Sequence, residues 1–139
     1  MPYDGIRGVL ADTCFWIAAF DSQQREHKQA ALLLRNIRRG IILMPWPVMY
    51  ETLGTRMVKT EPMRRAFASI FQEKVVKIDD SIYRESCLLD ALSDKRPLSL
   101  VDRIVRKVLQ DKNYRITQLL TFNQRDFSDV CETRILMWP

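Results

Sequence analysis

Glycine is scarce in this chain of 139 residues: only Gly5, Gly8, Gly40 and Gly54 are present. No GxGxxG or GxxxxGK(S/T) loop can be written with them, which excludes the common dinucleotide and P-loop phosphate cradles. No GxSxG elbow exists either. Histidine is scarcer still. His27 is the sole one, close to the apolar stripe of a helical stretch, where a partly buried structural residue is expected. Ser-His-Asp and Cys-His sites would rest on that residue alone, so both are discounted. Cys14, Cys87 and Cys131 are widely spaced and form no CxxC pair. A disulfide framework and a zinc site are therefore not expected. No apolar run approaches the ~20 residues needed to span a bilayer. The start, Met1-Pro2-Tyr3-Asp4-Gly5, lacks the basic-then-apolar layout of a signal peptide. The expectation is a cytoplasmic protein in a reducing compartment, with no membrane role. Pro and Gly together number 10, too few for a disordered chain.

What is present fits one domain over residues 1–139. Apolar residues make up 47% and charged residues 28%, an ordinary globular balance. Lys plus Arg is 22 against 17 Asp plus Glu, a formal charge of +5. That excess allows an anionic partner, although on charge alone solubility is the better reading.

Element types alternate along the chain. Gly8 to Thr13 reads as a short buried strand ending in a polar pair, followed by an apolar stretch, Cys14 to Phe20. Asp21-Ser22 is read as the cap of a long helix running to about Arg39, with Ala30, Leu33, Leu34 and Ile37 at helical spacing. Ile41 to Met44 is a second strand. Pro47 suits the first turn of a helix on which Met49, Leu53 and Met57 stand four apart. Thr60-Glu61-Pro62 starts another helix, striped by Met63, Phe67, Ile70 and Phe71. Val75 to Ile78 is a third strand, and Asp79-Asp80-Ser81 opens the next helix. The cleanest helix begins at Ser99-Leu100-Val101-Asp102. Val101, Ile104, Val105, Val108 and Leu109 form its apolar stripe, and Arg103, Arg106, Lys107 and Gln110 its polar face. Ile116 to Thr121 is a fourth strand and Thr133 to Trp138 a possible fifth. This order predicts an α/β fold with a parallel sheet and crossover helices.

With histidine discounted, carboxylates remain for catalysis. Four sit at element ends or first turns: Asp12, Glu51, Asp102 and Asp126. Singly, each has a plain structural explanation: Asp12 as a helix cap, Glu51 as a solvated residue, Asp102 in a near capping box and Asp126 in a turn. Together, clustered carboxylates repel and stay ionised only around a cation. Oxygen ligands select a hard ion such as Mg²⁺ or Mn²⁺. Such an ion lowers the pKa of a bound water and offsets charge on a phosphodiester, which suggests a nuclease.

The motifs around these acids resemble those of PIN-domain ribonucleases. Leu10-Ala11-Asp12-Thr13-Cys14-Phe15-Trp16-Ile17 looks like their opening D-(S/T)-x-x-(L/I/W) segment. Val48 to Leu53 is similar to their helix-borne glutamate. Leu98 to Val105 is similar to (L/T)-S-x-x-D-A-(L/I)-(I/V), and Leu120 to Phe127 to T-x-(N/D)-x-x-D-F. The resemblance spans about residues 8 to 137, and the chain's size is that of VapC-type toxins of toxin–antitoxin pairs. It implies a three-layer α/β/α sandwich around a parallel sheet of about four or five strands. It implies a Mg²⁺- or Mn²⁺-dependent endoribonuclease hydrolysing RNA, such as tRNA or ribosomal RNA, with a metal-activated water. It also implies a homodimer held in check by a small antitoxin.

Carried over by residue, Asp12, Glu51, Asp102 and Asp126 become metal ligands and catalytic acids. Thr13, Ser99 and Thr121 become hydroxyl support, and Asn123 a supporting or substrate contact. Arg35, Arg38, Arg39, Arg56, Lys59, Arg64 and Arg65 are candidates for the RNA backbone, although any one of them taken singly reads better as part of a solvated helix face. Trp16 and Trp46 read as core or interface rather than as base-stacking platforms, and Lys59 to Asp94 as scaffold and partner surface. Arg103 stands where the family has a small residue. Asn123 stands where some relatives have Asp, which keeps open a PIN module that binds RNA or a protein without cutting. A DNA-directed nuclease of the same carboxylate type is a third reading.

Overall fold

The computed structural model describes residues 7–37, 41–54, 56–131 and 135–138, the side chains of Arg7, Arg56 and Leu136 excepted. Strand β1 (Arg7–Ala11) is an unbroken apolar run at its end, and Val9, Leu10 and Ala11 are all buried. Successive strand residues point to opposite faces, so burial of all three means that both faces of the sheet are covered. The same holds for Ile42, Leu43 and Met44 in β2 (Ile41–Pro45). With β3 (Val75–Ile78), β4 (Arg115–Leu120) and β5 (Leu136–Trp138) they form a five-stranded sheet in the order β3-β2-β1-β4-β5. All four pairings are parallel, and Leu10 of β1 stands in register with Leu43 on one side and Leu119 on the other.

This order sets the place of the site. The chain winds outward from β1 to β2 and β3, then returns to lay β4 and β5 on β1's other edge. The connections diverge at the carboxyl ends of β1 and β4, where open α/β sheets leave a crevice for ligands.

The helices differ from the sequence expectation in instructive ways. The apolar stretch after β1 is itself a helix, α1 (Thr13–Phe20), with Phe15, Trp16, Ala18 and Ala19 buried. Burial around most of its circumference leaves no amphipathic period to read. The long helix expected from Asp21-Ser22 starts later, as α2 (His27–Asn36). Asp21 turns the chain instead: its carboxylate accepts from the Gln23 N–H at 3.0 Å. His27 Nδ1 lies 2.8 Å from the Ala18 carbonyl, and this contact ties the start of α2 back to α1. Arg38, Arg39 and Gly40 lie outside the described residues.

Helix α3 (Trp46–Leu53) stops at Gly54. Met57 is therefore buried from a separate one-turn helix, Arg56–Lys59, and Leu53 is exposed, so the three residues expected on one helix are divided. Helices α4 (Glu61–Lys74) and α5 (Ser81–Ser93) follow the expected starts. In α6 (Leu100–Gln110), Ile104, Val105, Val108 and Leu109 are buried as their spacing predicts. Strand β4 is shifted by one residue from the expected span, and β5 is shorter. Thr133 and Arg134 lie outside the described residues. No described helix is long and apolar enough to cross a membrane.

Arg103 corrects the reading of α6. Expected on the polar face, it is 7% exposed. Its Nε donates to the Leu98 carbonyl at 3.2 Å, Nη2 to the Arg96 carbonyl at 2.9 Å, and Nη1 to Asp94 at 3.0 Å. A buried guanidinium is tolerable only with such partners, and here they bind the α5–α6 connection to the first turns of α6. Replacing Arg103 with Met strands two carbonyls. We expect a loss of roughly 2–3 kcal/mol in urea denaturation. Asp94→Asn, at a half-exposed partner, is expected to cost less than Arg103→Met in the same measurement.

Candidate functional site

Asp12 is the first residue after β1. Its backbone N–H continues the sheet by donating to the Leu120 carbonyl at 3.2 Å, which brings it level with the end of β4. Its side chain caps α1: Oδ1 accepts from the Phe15 N–H at 3.1 Å. The Cys14 thiol donates to the same oxygen at 2.9 Å, and the Thr121 hydroxyl donates to Oδ2. The Thr121 oxygen in turn accepts from the Asn123 N–H at 2.9 Å. The Asp12 residue is 3% exposed. Burial pushes its carboxyl up to about 6, against the pull of these three donors, and the charge of Asp102 adds to the rise. The Cys14 thiol is pushed up to about 12 by burial and then by Asp12's charge. It thus stays protonated at neutral pH and available as a donor.

The remaining acids arrive from three other elements. Asp102 lies in the first turn of α6, where the Ser99 hydroxyl accepts from its N–H at 3.1 Å. The residue is half-buried, and its carboxyl is raised by burial first and then by the charges of Asp126 and Glu51, with Ser99 opposing. Glu51 is exposed on α3. Asp126 is half-buried in the one-turn helix Gln124–Asp126. Asp102 is therefore the electrostatic hub, since each of the other three acids is linked to it by charge. Among the described residues, no three Asp, Glu, His or Cys side chains are drawn together closely enough to hold a metal ion as they stand.

The supporting residues divide. Thr121 is in direct contact with Asp12, and Ser99 caps the helix that carries Asp102. Thr13 is buried, but its hydroxyl makes no hydrogen bond among the described residues. The second side-chain contact to Asp12 comes from Cys14 instead. Asn123 is exposed and reaches the site through its backbone. Of the basic candidates, Arg35, Lys59, Arg64 and Arg65 are exposed. Arg64 donates to the Val58 carbonyl and Arg65 pairs with Glu61. Arg38, Arg39 and the Arg56 side chain are outside the described residues.

Sequence reasoning passed over the ties behind Asp126. Arg106, one turn along α6 from Asp102, forks onto Asp129 at 2.6 and 2.8 Å and donates to the Asp126 carbonyl at 2.8 Å. Arg96 reaches Asp129 at 3.2 Å and the Arg125 carbonyl at 3.4 Å. These bonds, Arg106's above all, hold the Asp129 carboxyl well below the usual range. The spacing of Asp102 and Arg106 on one helix was the available signal. Arg106's partner, Asp129, lies 23 residues further on, across a turn that no local pattern foretells.

No protein-family model matches the chain, and no curated protein matches it in sequence. Solved structures do match in shape. Mycobacterium tuberculosis VapC20, a sarcin-ricin loop cleaving toxin, is similar at a TM-score of 0.71 with 20% identity, over 92% of this chain and 98% of that one. VapBC2 from Rickettsia felis, bound to a DNA fragment from its promoter, is similar at a TM-score of 0.57 with 15% identity, over 95% and 99% of the two chains. The chain thus has a PIN-like α/β fold, shared with structures of the VapC toxins.

Proposed function

We propose that this protein is a Mg²⁺- or Mn²⁺-dependent endoribonuclease and the toxin of a toxin–antitoxin pair. One observation carries the reading: a buried carboxylate, Asp12, at the switch point of a parallel sheet, linked by charge through Asp102 to Glu51 and Asp126. Support comes from the similar structures, one a toxin that cleaves the sarcin-ricin loop and one VapBC2 on promoter DNA. On this reading the substrate is RNA, such as ribosomal RNA or tRNA. The partners are a small antitoxin and a second copy of the chain.

The donor set suits a hard divalent ion, being four carboxylates without a described ion pair to any of them. Asp12, Asp102 and Glu51 would hold the ion and Asp126 would complete the site. Glu51 is the most exposed of the four and Asp12 the most buried. When bound, the ion lowers the pKa of water and offsets charge on the phosphodiester. The chain's own part is positional. Phe15, Cys14 and Thr121 fix both oxygens of Asp12, leaving its direction set before any ligand arrives. Ser99 and Arg103 set the first turn of α6 and hence Asp102. Arg106 fixes the backbone at Asp126. Exposed Arg35, Lys59, Arg64 and Arg65 supply candidate phosphate contacts, with Arg38, Arg39 and Arg56 added from the sequence.

Cleavage of bacterial RNA by the purified protein is expected with Mg²⁺ or Mn²⁺. EDTA should abolish it, and Asp102→Asn should lower it at least a hundredfold. Equal cleavage in all three would overturn the proposal.

A second test uses stability. Asp12's carboxyl is raised in the folded protein from 3.8 to about 6. The protonated form is therefore the favoured one on folding. That contribution is complete below about pH 4 and is lost as pH rises through 6, amounting to about 3 kcal/mol at neutral pH. Asp12→Asn should consequently raise the melting temperature of the metal-free protein at pH 7.5. The difference between variant and wild type should shrink as pH falls and vanish below about pH 4. Scanning calorimetry of both proteins checks this, and Mn²⁺ should restore stability to wild type alone.

A further inference from the structure

A cleft of about 690 Å³ opens beside Glu51, between α3 and the α5–α6 pair. Trp46 and Tyr50 line it from α3, Arg84 from α5, and Val101 and Ile104 from α6. Tyr50 is 75% exposed, an unusual state for a large aromatic with an apolar wall beside it. Its ring is tilted 41° to that of Trp46 at 6.2 Å. Cations flank the pair. Lys77 Nζ sits 5.5 Å from the centroid of the Trp46 ring. Arg84, with a side chain 60% exposed, is gripped by the buried Asp80 through Nε at 2.9 Å and Nη2 at 2.8 Å. Nη1 takes no part in that pair, so the guanidinium is aimed but not used up.

From this combination we propose that the cleft is a nucleobase pocket. It would take an unstacked base of a single-stranded RNA segment on Tyr50 and Trp46, with the adjoining phosphate at Arg84. The inference rests on the ribonuclease reading and deepens it, since Glu51 stands on the cleft wall next to Tyr50. Exposed aromatic faces stack with any base, and nearby guanidinium and ammonium groups suit the backbone. Of the two acids that line the cleft, the buried Asp80 is already neutralised by Arg84, and Glu51 belongs to the acid cluster. An RNA strand entering here would pass its next phosphate toward Asp102.

The test uses the Asp102→Asn protein, which should bind without cutting, and bacterial ribosomal RNA and tRNA carrying 4-thiouridine. Photo-cross-links are expected on Tyr50 or Trp46. Tyr50→Ala should weaken RNA binding about tenfold or more, within the range stacking supplies, and Tyr50→Phe should keep wild-type affinity. Arg84→Gln should weaken binding and reduce its salt dependence. Tyr50 is so exposed that its replacement should leave the circular dichroism spectrum unchanged. Wild-type cleavage, measured in parallel, separates the two ideas. If wild type cleaves RNA and Tyr50→Ala has the same KM with no cross-link in the cleft, the pocket is overturned and the nuclease stands. If Tyr50→Ala changes only the sedimentation coefficient, the cleft is a protein interface and the pocket is likewise overturned. If wild type neither binds nor cleaves RNA, both fall.

Discussion

Everything in the site leans on a carboxylate kept out of water. Asp12 ends the central strand, and its two oxygens are held by the Phe15 amide, the Cys14 thiol and the Thr121 hydroxyl. Those bonds stabilise the charged form, yet burial outweighs them and the carboxyl still titrates near 6. A group in that balance is a reservoir of unfavourable energy, and under the proposed function a cation would relieve it. The fold tolerates it because parallel strands covered on both faces supply a rigid frame around it.

The periphery is arranged by the opposite means. Asp129 is half-exposed and forked by Arg106, with Arg96 alongside. Arg103 is buried but surrounded by carbonyls and Asp94. These arginines neither stand in the site nor contact its acidic side chains. They lash together the α5–α6 connection, the first turns of α6 and the segment beyond β4, which are the pieces that bear Asp102 and Asp126. A charge deficit at the centre is thus enclosed by satisfied charge pairs at the rim, and the two kinds of electrostatics perform separate tasks.

Much of this was legible in the residues. Apolar runs marked the strands, and Ser99 three residues before Asp102 marked a helix start. The four acids were singled out by their places at element ends. Other features left no local trace. Thr13 to Phe20 is buried on most sides, so its helix had no period to detect. Arg103 was counted with the polar face because a helical wheel sees charge and not the carbonyls of Leu98 and Arg96 that meet it. Cys14 read as one more apolar residue, since its donor role exists only once Asp12 is buried beside it. Trp46 and Tyr50 gave no sign of a shared cleft before α5 and α6 were set opposite them.

The strand order has a temporal meaning as well as a spatial one. Asp12 and Thr121 are 109 residues apart, and the Thr121 N–H is itself tied to the Trp138 carbonyl at 2.7 Å. Closing a loop of that length is slow and must precede the contacts that reward it. An N-terminal fragment emerging during synthesis carries Asp12 and Glu51 but lacks the strand that steadies the first and the helix that links the two by charge. Assembly of the acid cluster consequently waits for α6 and the segment after β4, and a growing chain that lacks them does not yet hold it.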